Sequence, residues 1–266
     1  IGIDPTVKKE EEESIDGGKV RFIRDYFSER YTSLDSDFIC CLSVFEDIPD
    51  PLGFLKILRT MTDGRPDAAI YFEVSNSTYT FSNLSAWGIY YEQHSHFTET
   101  SLAQAFLQSG FKIIEAGGCY EDDQYVYVEA VSGRTPSASG FKSTGALSLP
   151  DDLQGFPSRH LKNVSIWRSR LCDMKRTGKR VTAWGSGGKG IGFLNSFDTE
   201  KIIPYVVDIN PNRQHKFIPG SAQKIIPPEF LRDYQPDIIV ITNPLYAQEI
   251  KQQVHELNVK SEFLNL

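Results

Sequence analysis

The chain has 266 residues, 40% of them hydrophobic and 12% aromatic, enough for one large core or two modest ones. Its net charge of -7 argues against nucleic acid as the main partner, because phosphate binding needs clustered Lys and Arg. No apolar run reaches the length of a membrane span, and no signal peptide opens the chain, so a membrane partner is not expected.

Ile1-Gly2-Ile3-Asp4-Pro5 reads as the end of a buried strand finishing in a carboxylate. A helix rich in Lys and Glu is expected next, with residues 8–13 as its solvated face, then a turn at Gly17-Gly18. Residues 20–23 form a second expected strand, ending at Asp25-Tyr26-Phe27. Residues 37–42 form a third, with Ile39, Cys40 and Cys41 as a continuous apolar run of the parallel-sheet kind. These two cysteines, with Cys119 and Cys172, form no CxxC pair. They predict neither zinc nor a disulfide framework and point to a reducing cytoplasm. Asp50-Pro51 opens a helix over 52–61, with Pro in the first turn where its missing N–H costs nothing. Strand 68–74, helix 101–109 stopped by Gly110, and antiparallel strands 112–115 and 125–131 complete this half.

Between strand 68–74 and helix 101–109 lies the densest chemistry. The run from Trp87 to Phe97 holds Tyr90, Tyr91, Glu92, His94 and His96, and no hydrophobic period explains it. Titratable residues on a loop at the carboxyl end of a strand are where open α/β sheets place ligands. The alternative is a His-rich surface loop packed over aromatics. Asp4 at one strand end suits a ribose diol. Asp25 beside Tyr26 at the next suits an adenine, the acid accepting from the amine and the ring packing on the base. The alternative for each carboxylate is a cap on the following helix. No glycine-rich turn precedes Asp4, so the first sheet is expected to lack its first strand.

Residues 132–150 are rich in Ser, Gly, Thr and Pro and read as a linker. A long helix is expected over 151–175, with Leu161, Val164, Ile166, Trp167 and Leu171 as its buried face. Strand 180–184 then leads through Gly185-Ser186-Gly187-Gly188-Lys189-Gly190 into a helix, and strand 203–207 ends at Asp208. Gly185, Gly187 and Gly190 match G-x-G-x-x-G, with the acid about 20 residues on. That pattern supports an NAD-dependent oxidoreductase. Its alternative is a tight strand–helix turn that needs glycine for backbone shape alone. Strand 237–241, ending at Thr242-Asn243-Pro244, helix 245–257 and a short strand 262–264 close the chain. The alternation predicts α/β architecture with two Rossmann-like doubly wound units: 1–131, a linker over 132–150, and 151–266.

Taken together, several blocks resemble one family. They are Ile-Gly-Ile-Asp-Pro, Asp25-Tyr26-Phe27-Ser28, Val44-Phe45-Glu46-Asp47-Ile48-Pro49-Asp50-Pro51, Tyr71 to Asn76, the 90–97 loop, Gly185 to Gly190, and Tyr205 to Pro211. The chain resembles the S-adenosylmethionine-dependent C-methyltransferases of deoxysugar nucleotides, incomplete at its N-terminus. The resemblance implies a class I methyltransferase-type sheet followed by a Rossmann-like C-terminal domain. It implies that Asp4 holds the cofactor ribose, that Asp25 and Tyr26 flank the adenine, and that Leu42 and Ser43 line the methionine end. It places Tyr90, Glu92 and the loop around them at the reacting carbon, where His94 is an available imidazole close in sequence. Tyr91, Gly185, Gly187, Lys189, Asp208 and Asn243 would lie on a nucleotide-sugar acceptor, with no metal. Where the family has Glu-His and Tyr-x-Glu-His, this chain has Glu46-Asp47 and Tyr90-Tyr91-Glu92-Gln93. Those replacements keep a catalytically silent domain among the readings. Glu92 would serve as base if burial raised its pKa, His94 as an imidazole that exchanges protons near neutral pH, and Tyr90 as donor to a developing oxyanion.

Overall fold

A computed structural model describes residues 1–133 and 151–266. Most of the expected linker, from residue 134, lies outside the described residues. In chain order, β1 (Gly2–Ile3), β2 (Glu12–Ile15), β3 (Gly18–Ile23) and β4 (Phe38–Leu42) lead to α1 (Pro51–Met61), β5 (Ala69–Ser75) and α2 (Ser77–Ser82). Next come α3 (Glu99–Gln108), β6 (Lys112–Cys119), β7 (Tyr125–Val131) and α4 (Asp151–Arg176). The rest is β8 (Val181–Trp184), α5 (Gly188–Ser196), β9 (Tyr205–Val207), β10 (Lys224–Ile226), α6 (Leu231–Tyr234), β11 (Ile238–Ile241), α7 (Ala247–Glu256) and β12 (Glu262–Asn265). Among the described residues no helix is long and apolar enough to cross a membrane.

Two compact units form. Of the described residues, the first takes 1–75, 94–119 and 125–133, and the second takes 76–93, 120–124 and 151–266. Two excursions from the first half, 76–93 and 120–124, thus cluster with the second.

The first unit holds a four-stranded sheet of order β4-β5-β7-β6 and a three-stranded sheet of order β1-β3-β2. β4 and β5 pair in parallel, and β7 runs antiparallel to both β5 and β6. Alternation along β5 sends Ile70, Phe72 and Val74 into a core with Phe45, Leu55, Leu102 and Phe106. α1 starts where Asp50 accepts a hydrogen bond from Gly53 N at 2.9 Å, with Pro51 at its first position. α3 is opened by a reciprocal Thr98–Ser101 capping box. Gly110, at φ +88°, ends it in a conformation few other residues adopt.

Three expectations are corrected in this unit. The Lys/Glu segment makes no helix; Glu12–Ile15 pairs antiparallel with β3. Asp16 and Gly17 both take positive φ, 48° and 82°, which is the two-residue turn that matches strand twist. The segment has no apolar stripe for a helix to bury, and propensity alone is a weak prior. β4 is not buried on both faces either. Ile39 and Cys41 pack on the core, while Phe38 is 62% and Leu42 52% exposed. Ile1 is likewise exposed, and β1 is only half-buried.

The second unit is a five-stranded parallel sheet of order β10-β9-β8-β11-β12. Successive residues of β11 go to opposite layers. Ile238 and Val240 join Trp167, Phe193 and Leu194, and Ile239 and Ile241 join Leu231, Ile250 and Val254. Burial on both faces is what an all-parallel sheet requires. On α4 the buried face is Trp167, Leu171 and Met174, at i, i+4 and i+7. Leu161 and Ile166, expected on it, point elsewhere and are 68% and 42% exposed. At 100° per residue, neither shares the direction of Trp167.

Candidate functional site

In the second unit the strand order reverses between β8 and β11, and the loops after those two strands meet at their carboxyl ends. This is the switch point where doubly wound sheets bind ligands. Gly185 leaves β8 at φ +106°, and a Cβ there would collide with Thr242 Oγ1. The Thr242 hydroxyl donates to Trp184 O and Gly185 O, at 2.9 and 3.0 Å. A Cβ on Gly190 would strike the Gly185 carbonyl. Two of the three motif glycines are therefore demanded by the backbone itself. Asp208 is also engaged. It is 7% exposed and accepts from Ser186 N at 3.0 Å, Ser186 Oγ, and Asn210 N at 2.8 Å. Burial works to raise its pKa, but the Ser186 and Asn210 donors and nearby Arg213 hold the carboxyl below its usual value. A carboxylate so occupied is not one waiting for a ribose diol.

Beside this turn lies a cavity of about 200 Å³ lined by Tyr79, Asn83, Trp87, Asp122, Lys189 and Thr242, among others. Lys189, on the first turn of α5, extends its ammonium over the Tyr79 ring, 5.5 Å from the centroid. Its hydrogen bonds go to amide oxygens, Gln124 Oε1 at 3.2 Å and Asn243 Oδ1 at 3.5 Å. Burial lowers its pKa. A desolvated cation at a helix N-terminus, held by neutral acceptors, favours an incoming anion. Sequence reasoning reached Lys189 and Asn243 but missed Tyr79, Asn83 and Gln124. Tyr79 and Asn83 lie on and just after α2, where no helix was expected, and Gln124 sits in the excursion 120–124.

The segment after α2 carries the aromatic–acid run. Trp87 is buried against Phe193, with ring centroids 5.3 Å apart. Tyr90 to Gln93 form a closed turn: Gln93 N donates to Tyr90 O at 3.2 Å, and Tyr90 N donates to Gln93 Oε1 at 3.3 Å. Tyr91 is fully exposed, and Glu92 is exposed too. The burial expected of a Glu92 base is not found there. The division between units falls between Gln93 and His94, so Tyr90, Tyr91 and Glu92 belong to the second unit and His94 to the first.

In the first unit, Asp4 Oδ1 accepts from Thr6 N and Thr6 Oγ1, both at 2.6 Å. The Thr6 side-chain and backbone donors hold its pKa below the usual value. Its Oδ2 takes part in neither bond. Asp25 is more heavily committed, receiving Tyr31 OH at 2.6 Å, Arg30 at 2.7 Å and Tyr26 N at 2.8 Å. The Tyr31 hydroxyl, then Tyr26 N and Arg30, lower its pKa against a desolvation effect. Tyr26 is 74% exposed, and Leu42 and Ser43 are exposed. One oxygen of Asp4 thus lies outside these bonds, and the Tyr26 ring and the Leu42–Ser43 edge are open. At Asp25, Oδ2 already takes two partners and Oδ1 one, so an adenine amine would have to share Oδ1 with Tyr26 N.

Glu46 was not singled out from the sequence, although it stands directly after Phe45 in a block of the resemblance. It is 4% exposed. Its Oε1 accepts from Ser75 N and Ser75 Oγ, at 3.1 and 3.0 Å, while Oε2 is buried without a partner. Its backbone carbonyl accepts from both His94 N and Ser95 N, at 2.9 and 3.0 Å. It thereby fixes the start of the 94–97 segment, whose His94 and His96 are exposed. Burial pushes the Glu46 carboxyl up against the opposing Ser75 bonds. Burial, with Glu46 next, pushes the neighbouring Cys41 thiol up to about 12. A raised folded-state pKa means the folded chain holds this proton more tightly than the unfolded one. Its contribution is full below the ordinary value of 4.5 and is lost as pH rises through the folded value. Glu46→Gln keeps a neutral group at every pH. Its melting temperature is expected to match wild type at about pH 4 and to gain on it above that. A gap independent of pH would contradict the raised pKa of the Glu46 carboxyl.

Residues 1–116 match the family model of a methyltransferase domain, and residues 146–264 match that of the C-methyltransferase C-terminal domain. No curated protein matches the chain. With a methyltransferase domain leading and a C-methyltransferase C-terminal domain behind it, each matched over part of the chain, the protein is a methyltransferase.

Proposed function

We propose that the protein transfers a methyl group from S-adenosylmethionine to a carbon of a small acceptor that carries an anionic group, of the nucleotide-linked sugar class. The observation that carries the acceptor reading is the Lys189 cavity at the switch point, with its desolvated cation and aromatic wall. Asp4 would hold the cofactor ribose through Oδ2, and Tyr26 would pack on the adenine. When bound, the cofactor supplies an electrophilic methyl group. The acceptor carbon becomes nucleophilic once a proton next to a carbonyl is removed. The His94 imidazole would take that proton, and the Tyr90 phenol would donate to the oxygen on which charge develops. The dinucleotide reading is less well supported, since Asp208 is already engaged and the motif glycines answer backbone needs.

The test has two arms. Calorimetric titration with S-adenosylhomocysteine should give binding that Asp4→Ala abolishes; binding unaffected by that change removes the ribose role. Turnover is then measured as S-adenosylhomocysteine formed with nucleotide-linked keto sugars. Lys189→Met is expected to raise KM about 30-fold with kcat held, the cost of an anion facing no cation. An unchanged KM, or no turnover with any member of this class, would sink the acceptor assignment.

A further inference from the structure

Gly188 and Gly192 stand one turn apart on α5, and both are pressed by the chain segment that carries the phenol. A Cβ on Gly188 would run into the Tyr90 ring, with the hydroxyl oxygen 2.8 Å away. A Cβ on Gly192 would lie 2.7 Å from Trp87 O and 3.3 Å from Trp87 Cα. Trp87 is itself anchored, with its ring in the core against Phe193 and Phe197. Beyond Tyr90, the Gln93 side chain closes the turn back onto the Tyr90 amide. The phenol is thus fixed by an anchor before it, a closed turn after it and bare helix surface beneath it. The space over a glycine-rich turn, which in a dinucleotide site admits a pyrophosphate, is filled here by the chain's own tyrosine.

We infer that the glycine face of α5 is a seat that positions the Tyr90 phenol, with Gly188 and Gly192 as positioning residues for methyl transfer. This rests on the proposed role of Tyr90 at the acceptor. The two glycines act differently. At Gly188 the atoms a methyl group would meet are the far end of a side chain, so the ring swings out while the helix stays. At Gly192 they are backbone, and the segment cannot yield without losing its anchor. Gln93, where the resemblance has a histidine, has a positive function in this arrangement: its amide holds the turn that presents the phenol.

Tyr91 gives the experiment an internal reference, being adjacent and fully exposed. Tyrosine nitration by tetranitromethane, read by peptide mass spectrometry, reports the ratio of Tyr90 to Tyr91 modification. Gly188→Ala is expected to raise that ratio severalfold while the melting temperature is kept; an unchanged ratio overturns the seat. In the keto-sugar assay, Gly188→Ala should lower kcat as Tyr90→Phe does, with S-adenosylhomocysteine affinity held. The double variant should be no slower than Tyr90→Phe alone, and additive losses would show that Gly188 does not act through the phenol. The nitration ratio needs no acceptor, so failure of the acceptor class leaves it standing, and its own failure leaves the acceptor class untouched.

Discussion

Phe45→Ala is expected to destabilise the first unit by about 3–5 kcal/mol. The side chain is fully buried, and its ring is the meeting point of four others. It stacks on Phe97 at 5.2 Å, meets Phe72 edge-on at 5.2 Å, and lies 5.9 and 6.3 Å from Phe54 and Phe106. Removing it costs the transfer of a benzyl group and leaves a cavity whose walls are other rigid rings, which collapse poorly into the gap. The loss extends beyond packing. Phe45 precedes Glu46, and Phe97 ends the segment whose His94 and Ser95 amides bond to the Glu46 carbonyl. The same substitution should therefore loosen the 94–97 segment. Denaturant unfolding measures the first effect, and amide exchange at residues 94–97 measures the second. A loss below about 1 kcal/mol would place Phe45 outside the organising core.

That core was legible in outline, and the reasons are local. α1 announces itself by Asp50-Pro51, α3 by Thr98 and Gly110, and strand 125–131 by its alternation, because caps and periods are written within a few residues. The glycine turn and Asp208 were found for the same reason. What could not be read depends on partners distant in sequence. Cys40 looks like its neighbours Ile39 and Cys41, yet it faces away from the core. Leu161 is apolar on a helix whose buried stripe is set by Phe193 and Ala183, which lie on later elements. β10 is three residues long, too short for a pattern, and exists because β9 offers it an edge. Lys189 could be named as a ligand residue, but its neutral partner Gln124 lies 65 positions earlier. Nothing near Glu46 announces that Ser75 and His94 close around it. Asp25 shows the converse: its residue type suits an adenine amine, yet Arg30 and Tyr31, five and six positions on, take the same oxygen.

Gly190→Ala is expected to cost the second unit about 3 kcal/mol or more, whereas Gly187→Ala should stay within about 0.5 kcal/mol. Both belong to the same G-x-G-x-x-G string, so the contrast separates backbone need from motif membership. A Cβ added at Gly190 would overlap the Gly185 carbonyl oxygen, with the Gly185 carbonyl carbon at 3.3 Å and Thr242 Cγ2 at 3.4 Å. None of those is the tip of a flexible chain. Relief requires α5 to lift from β8, which strips contacts from Phe193 and Leu194, both fully buried. At Gly187 the added carbon would meet only Arg213 Nη1 at 3.6 Å, an ordinary contact. The backbone there has φ -76°, open to any residue. Denaturant unfolding of the two variants, with amide exchange in β8 and β11, makes the comparison. Equal effects would mean that helix–strand approach is not what selects glycine at position 190. A large loss at 190 with none at 187 would fit a turn whose first and last glycines serve the backbone. Gly187, between them, would be free to change without cost to the fold.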